Sequence, residues 1–450
     1  MAENITFEQI AQFKEDYLKD PKNAASEHAV RNVGIDASAK NFEAVRRHNF
    51  VFSNETPKGE ITNQKKSGRC WYFAALNSLK YITMRKLNVE KFEFSETHLY
   101  FYDKLEKANT YLEEVIATAD KDLDEDRATS IIVRQGGAYD GGYWEYFKPL
   151  ALKYGLVPKS VAPETFNSEK SSSFIRQLDM RLRKTAMDIR SARRDDGASV
   201  DELREMKNKC LSQVYNICVK ALGHPVEEFE FTYKDKDGNY HNAGNFTPVE
   251  FMEKFVGREE IGSRVVICSD PREIYPYGRV LNAKTSRSVY EAEPAGGLNL
   301  PMPVLRDCVY MSIKEGRPVW FACDVSEQSD REAGILDTEL YDYDNVLTEL
   351  GEFSKKDRFA SGFSSANHAM NIVGMDLDAD ERPVTWKVEN SWGKDNGKDG
   401  IFSMSHEWFM ENTYEAIVDM RYVPKKYRDG FDKDPIELEP WDLLAKSLIL

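Results

Sequence analysis

The chain changes texture near residue 261. Before it, apolar residues recur every three to four positions. After it come short β-type runs divided by turns. A chain patterned this way builds two unlike lobes, one mainly helical and one mainly strand, with a cleft between them. Its 450 residues, 41% of them hydrophobic, allow two or three units with substantial cores. The expected class is α+β.

The helical half reads segment by segment. "TFEQIAQFKEDYL" places Phe7, Ile10, Phe13 and Leu18 near one helix face. Residues 61–69 are polar and glycine-containing, hence a loop. "WYFAALNSLKYITMRKL", from Trp71 to Leu87, is a strong helical pattern, so Cys70 stands at the start of a long helix. Ser95 is placed as the N-cap of a second helix. "RQGGAYDGGYWEYFKPLALKYGLVP" is a glycine-rich loop and then a helix ending at Gly155. Residues 168–222 are charged and helical in pattern. Residues 229–242 alternate around Asp237-Gly238, which predicts a β-hairpin. Beyond 261, "SRVVICSD", "RPVWFACDV", "HAMNIVGMDL", "VTWKVENSW" and "GIFSMS" read as strands.

Several function classes are disfavoured. A formal net charge of −15 repels phosphate backbones and anionic lipid, so neither nucleic acid nor membrane is an expected partner. The densest basic run, "RLRKTAMDIRSARR" (181–194), reads as a solvated helix face. No apolar run approaches the roughly 18 residues that span a bilayer. Six cysteines without a CxxC pair are neither a disulfide framework nor a zinc site. They fit a reducing compartment. The N-terminus lacks a basic stretch followed by an apolar one, so a cytoplasmic location is expected. "DKDGNY" resembles a calcium loop but has Tyr240 where that loop needs glycine. No metal or cofactor is expected. "DLDEDR" (122–127) reads as a solvated acidic loop.

One constellation carries chemistry. Thiol nucleophiles act as thiolates, which a helix N-terminus and a neighbouring imidazolium both favour. Cys70 has the first. His368, before an apolar strand, can supply the second. Asn390 follows 22 positions later (390 − 368), a spacing that suits strand, turn and strand. Asn390 would orient the imidazole, and Trp392 would shield their hydrogen bond. The Gln64 side chain and the Cys70 N–H are placed to stabilise a developing oxyanion. Each element alone has a bland structural explanation. The ordered set Gln, Cys, His, Asn in matching contexts does not.

"NQKKSGRCWYFAALN", "DGGYW", "NHAM", "KVENSWG" and a late "PWD" together resemble the bleomycin hydrolase and aminopeptidase C branch of the papain-like cysteine peptidases, over nearly the full length. The resemblance implies a papain-like two-lobe fold, a helical lobe plus a β-barrel-like lobe, with a helical insertion and a C-terminal arm. The implied division is an N-terminal extension packing on the core (1–60), the helical lobe (61–167), an insertion ending in a hairpin (168–260), the β-rich lobe (261–428) and the arm entering the cleft (429–450). It implies Cys70 as nucleophile, His368 as base and acid, Asn390 as orienting residue and Gln64 as oxyanion donor. Gly141 and Gly142 would offer backbone to an extended peptide substrate, Asn367 its carbonyl, and Trp71 and Trp392 support. Secreted papain-like enzymes carry a disulfide-paired cysteine where this chain has Ser67.

The resemblance further implies a homohexamer with active sites facing a chamber, and an arm whose final carboxylate, here that of Leu450, binds the free amine of the substrate. An aminopeptidase follows. The tail "PWDLLAKSLIL" departs from the branch, with Leu443 and Ala445 in place of a bend-forming Pro and Gly. That departure keeps an endopeptidase of the same branch as the alternative. A non-catalytic nucleic-acid-binding protein is the distant one, opposed by the charge and the intact catalytic set.

Overall fold

The computed structural model describes residues 3–57 and 59–447. The helical lobe is built on α1 (Cys70–Leu87), which is buried along almost its whole length. Such a helix has no solvent face and serves as the spine of the molecule. It ends at Asn88, held left-handed at φ 54°, a conformation asparagine tolerates. Around it pack α2 (Glu96–Ala117), capped by the Ser95 hydroxyl, and α3 (Trp144–Tyr154), which stops at left-handed Gly155. The insertion is a helical pair, α4 (Ser172–Arg194) and α5 (Val200–Leu222), laid against α2. A capping box between Ser199 and Glu202 starts α5. The hairpin Phe229–Lys234 and Tyr240–Phe246 follows as expected. The basic run on α4 is largely solvated, except that Arg190 is buried and donates to the carbonyls of Thr118 and Lys121.

Six strands form the working part of the second lobe: β1 (Arg264–Cys268), β2 (Val319–Cys323), β3 (His368–Leu377), β4 (Pro383–Glu389), β5 (Ile401–Ser405) and β6 (Thr413–Asp419). Their order is β1-β6-β2-β3-β4-β5, antiparallel throughout, with shorter strands extending both ends. Central β2 is buried on both faces. Trp320 and Ala322 join the core shared with α1, while Val319, Phe321 and Cys323 join a second core beneath the sheet. Alternate residues of one strand therefore serve the two cores.

Two regions qualify the expected layout. Helices Phe7–Lys19 and Lys22–Val33 bury no residue, and Phe7 is 88% exposed. Packing of the 1–60 extension begins at Ile35–Ala39, where Tyr343 donates to Asp36 at 3.0 Å and Ala39 is the first buried residue. His48 Nδ1 lies 2.7 Å from Ser403 Oγ and its Nε2 2.9 Å from Asp337, while Arg47 pairs with Asp337 and Glu339. At the other end, Ile436–Leu438 pairs with Val280–Ala283, and a short helix spans Leu443–Ser447 with Leu444 and Ala445 buried. Residues without proline or glycine continue here as a helix. Leu450 lies outside the described residues.

Candidate active site

The α1 N-terminus abuts the start of β3. Asn371 of β3 donates to the Ala74 carbonyl at 2.8 Å, and the Trp320 indole N–H to the Trp71 carbonyl at 3.3 Å. On the far side, Lys80 of α1 pairs with Glu389 of β4 at 2.7 Å, both side chains buried. These contacts dock the start of α1, which carries Cys70, against the start of β3, which carries His368 and Ala369. The backbone N–H groups of Ala369, Trp71 and Cys70 itself all bear on the sulfur, and Ala369 is the residue after His368.

His368 is oriented from behind. Its Nε2 lies 2.9 Å from Asn390 Oδ1, and Oδ1 also accepts the Ser391 N–H at 2.8 Å. The second bond identifies the amide oxygen, so Nε2 carries the proton and Nδ1 is the free base. Trp392 stacks on the imidazole, ring centroids 4.7 Å apart.

Burial pushes the Cys70 thiol up, the three amides opposing it only in part and the Asp140 charge adding to it. Burial also pushes His368 down to about 4, against the bond to Asn390. Each charged form is thus disfavoured alone. Transfer of the proton from sulfur to imidazole would pair the two charges, so that each offsets part of the other's desolvation cost.

Gln64 is held at three points. Its N–H donates to the Ser391 carbonyl (2.8 Å), its Oε1 accepts from Ser391 Oγ (2.7 Å), and its Nε2 donates to the Ser67 carbonyl (2.8 Å). The second Nε2 proton is not used by these bonds, so it is available to an oxyanion. Gly393 N–H donates to Thr62 O, so segments 62–64 and 391–393 are laced together. Trp71 closes the other wall. Its indole N–H donates to the Asp140 carbonyl at 2.8 Å, and a Cβ on Gly142 would meet its ring at 2.5 Å. Only glycine fits there.

Sequence reasoning missed several supports. Ser391 grips Gln64 and, through its N–H, Asn390. Arg69, fully buried, pairs with Glu164 at 2.8 Å and donates to Ser67 Oγ. Asp140 accepts from Gly68 N–H (3.1 Å), Tyr100 (2.5 Å) and Ser171 (2.5 Å). Burial alone would raise its carboxyl, but Lys104 and these donors hold it well below the usual carboxylate range. Its position in "YDGGYW" was the available signal. The Asn367 side chain donates to Asp324 (2.6 Å) and accepts the Val325 N–H (3.0 Å). The five other cysteines are buried and free. Among the described residues, no helix is long and apolar enough to cross a membrane, and no three His, Cys, Asp or Glu side chains converge on a metal position.

A helix-borne thiol facing a strand-borne His–Asn pair across two lobes defines a papain-like cysteine peptidase. The chain belongs to the Peptidase C1-like family, whose model matches residues 4–445. It is 36% identical to an aminopeptidase C of Lactobacillus delbrueckii subsp. lactis, covering 98% of both chains. It is 37% identical to an aminopeptidase G of the same organism, covering 99% of this chain and 100% of that one. A crystal structure titled pepw, from "lactobacillus rhamnosis hn001", superposes with a TM-score of 0.95 at 36% identity and covers 99% of each chain.

Proposed function

We propose that this protein is a cytoplasmic cysteine aminopeptidase that removes N-terminal residues from peptides through a thioester. The observation that carries the reading is the Cys70–His368–Asn390 centre with Gln64 beside it, in a chain similar along its length to proteins named aminopeptidases. Sulfur attacks the scissile carbonyl as its proton passes to His368 Nδ1. The oxyanion rests on Gln64 Nε2 and the Cys70 N–H. The imidazolium protonates the departing amine, and water then hydrolyses the acyl-enzyme.

Restriction to the N-terminal residue requires a blocked non-primed side. A tethered arm supports this. Asp442 pairs with Arg272 at 2.9 Å and accepts from Tyr275 at 2.9 Å, and Leu444 and Ala445 just after it are buried. Such ties favour a fixed arm over one that swings away. The exposed apolar face of the Phe7–Lys19 helix supports assembly into a homohexamer, since Phe7, Ile10, Phe13 and Leu18 are each more than half exposed.

The test is one peptide supplied free and N-acetylated at equal concentration, with product masses read out. Release of the first residue from the free form only is expected. Internal cleavage of the acetylated form would instead establish an endopeptidase.

A further inference from the structure

Beneath the Gly141–Gly142 segment lie four charged side chains of which the reaction makes no direct use. Asp103, Lys104 and Lys107 project from α2, and Asp140 comes from the loop itself. The first three are almost wholly inaccessible, Lys104 and Asp103 at 0%. Lys104 Nζ lies 3.1 Å from Asp140 Oδ1 and 3.2 Å from Asp103 Oδ2. Lys107 Nζ lies 3.1 Å from Asp103 Oδ1. Asp103 thus places one carboxylate oxygen against each ammonium group.

The remaining ammonium protons are spent on the loop backbone. Lys104 donates to the Tyr139 carbonyl at 2.6 Å and reaches that of Ala138 at 3.4 Å. Lys107 donates to the Gly141 carbonyl at 2.7 Å and reaches that of Tyr139 at 3.2 Å. Through Asp140 the same cluster grips the Gly68 N–H, two residues before the nucleophile. A quartet with two buried cations is a poor way to gain stability, because desolvation consumes most of the attraction. Apolar residues of equal volume would fill the space but satisfy none of the loop carbonyls.

We propose that Lys104 and Lys107, neutralised by Asp103 and Asp140, are positioning residues that hold the 138–141 backbone in the one conformation that presents Gly141 and Gly142 to substrate, and that protonated Lys107 is required for that conformation. The inference rests on the peptide-binding role of Gly141 and Gly142. Lys107 is faced by Asp103 and Lys104 from its own helix, by Asp140 and the Tyr139 ring from the loop, by Trp71 from α1 and by Tyr146 from α3. Cys218 of α5 borders Asp103 and Lys104. Burial is the largest influence on Lys107. Together with Lys104 it lowers the ammonium to about 8 against the pull of Asp103. The loop anchor therefore weakens as pH rises through that value.

The experiment compares the wild type with Lys107→Met, which keeps the stem and removes the charge. Three quantities are read: amide hydrogen exchange across 138–142, KM for a free-amine dipeptide, and the rate of Cys70 alkylation by iodoacetamide. In Lys107→Met, exchange at 138–142 and KM should each rise about tenfold, while alkylation stays within about twofold, since the thiol and imidazole are untouched. In the wild type, KM should rise above pH 8 while alkylation does not fall. Unchanged exchange or unchanged KM in the variant overturns the proposal. If Lys107→Met does not fold, a wild-type KM flat between pH 7 and about 9.5 overturns it alone. A wild type that alkylates normally but cleaves no free-amine peptide overturns the aminopeptidase reading instead, while exchange still reports on the anchor.

Discussion

His368 and Asn390 meet across the β3–β4 hairpin, Nε2 2.9 Å from Oδ1, and that single bond decides which ring nitrogen faces the thiol. The amide oxygen cannot turn away, because the Ser391 N–H also binds it at 2.8 Å. Asn390→Ala removes the tautomer lock without touching sulfur or substrate. The expected result is kcat lowered about a hundredfold with KM little changed, read from initial rates.

Gln64 offers its second amide proton where the carbonyl oxygen becomes negative. Gln64→Ala should lower kcat by roughly a hundredfold or more. Alkylation of Cys70 by iodoacetamide develops no oxyanion there and should be nearly unchanged. The backbone bond from residue 64 to Ser391 survives the substitution, so the loop keeps its course. Equal losses in both assays would show that the variant acts by misplacing the loop.

Arg69 is fully enclosed and its main anionic partner is Glu164. Glu164→Leu leaves that guanidinium buried without its counter-charge. The expected cost is about 3 kcal/mol of unfolding free energy, measured by urea titration. Because Arg69 adjoins Cys70 and binds Ser67, activity should fall before global unfolding is seen.

His98 is buried on α2, with Nε2 3.1 Å from the Tyr154 carbonyl and Nδ1 unpartnered. Burial lowers its pKa to about 4, from an ordinary value of 6.5. The sign follows from proton counts. Between pH 6.5 and 4 the unfolded imidazole is protonated and the folded one is not, so stability falls as pH falls through this window. Below 4 the penalty is complete. His98→Gln, which keeps a donor toward Tyr154, should abolish roughly 3 kcal/mol of that acid loss. Unfolding of both proteins at pH 7 and about 4.5 would show the gap closing or reversing in favour of the variant. A gap independent of pH would refute it.

Much of this molecule is legible locally. The α1 periodicity, the Ser95 cap, the Asp237-Gly238 hairpin and the β-runs after 261 are decided by neighbours a few positions apart, and the structure follows them. The set Gln64, Cys70, His368 and Asn390 is legible for a related reason. Each residue sits at a fixed place on an element, a loop, a helix start, a strand start and a strand end, and that local setting is what its chemistry needs.

What the residues do not declare is which charges are brought together and how far water is excluded. A thiol at a helix start is expected to acidify. Only the closure of the two lobes adds the burial that pushes the thiol up against the neighbouring amides. Asp103, Lys104 and Lys107 read as ordinary polar positions of α2, because helical spacing cannot tell a solvated face from one covered by a distant loop. The apolar stripe of Phe7–Lys19 reads as a core face and stays uncovered. Periodicity depends on adjacent residues and is written in the chain. Burial and the electrostatics that follow from it depend on segments hundreds of residues apart, and only the tertiary structure decides them.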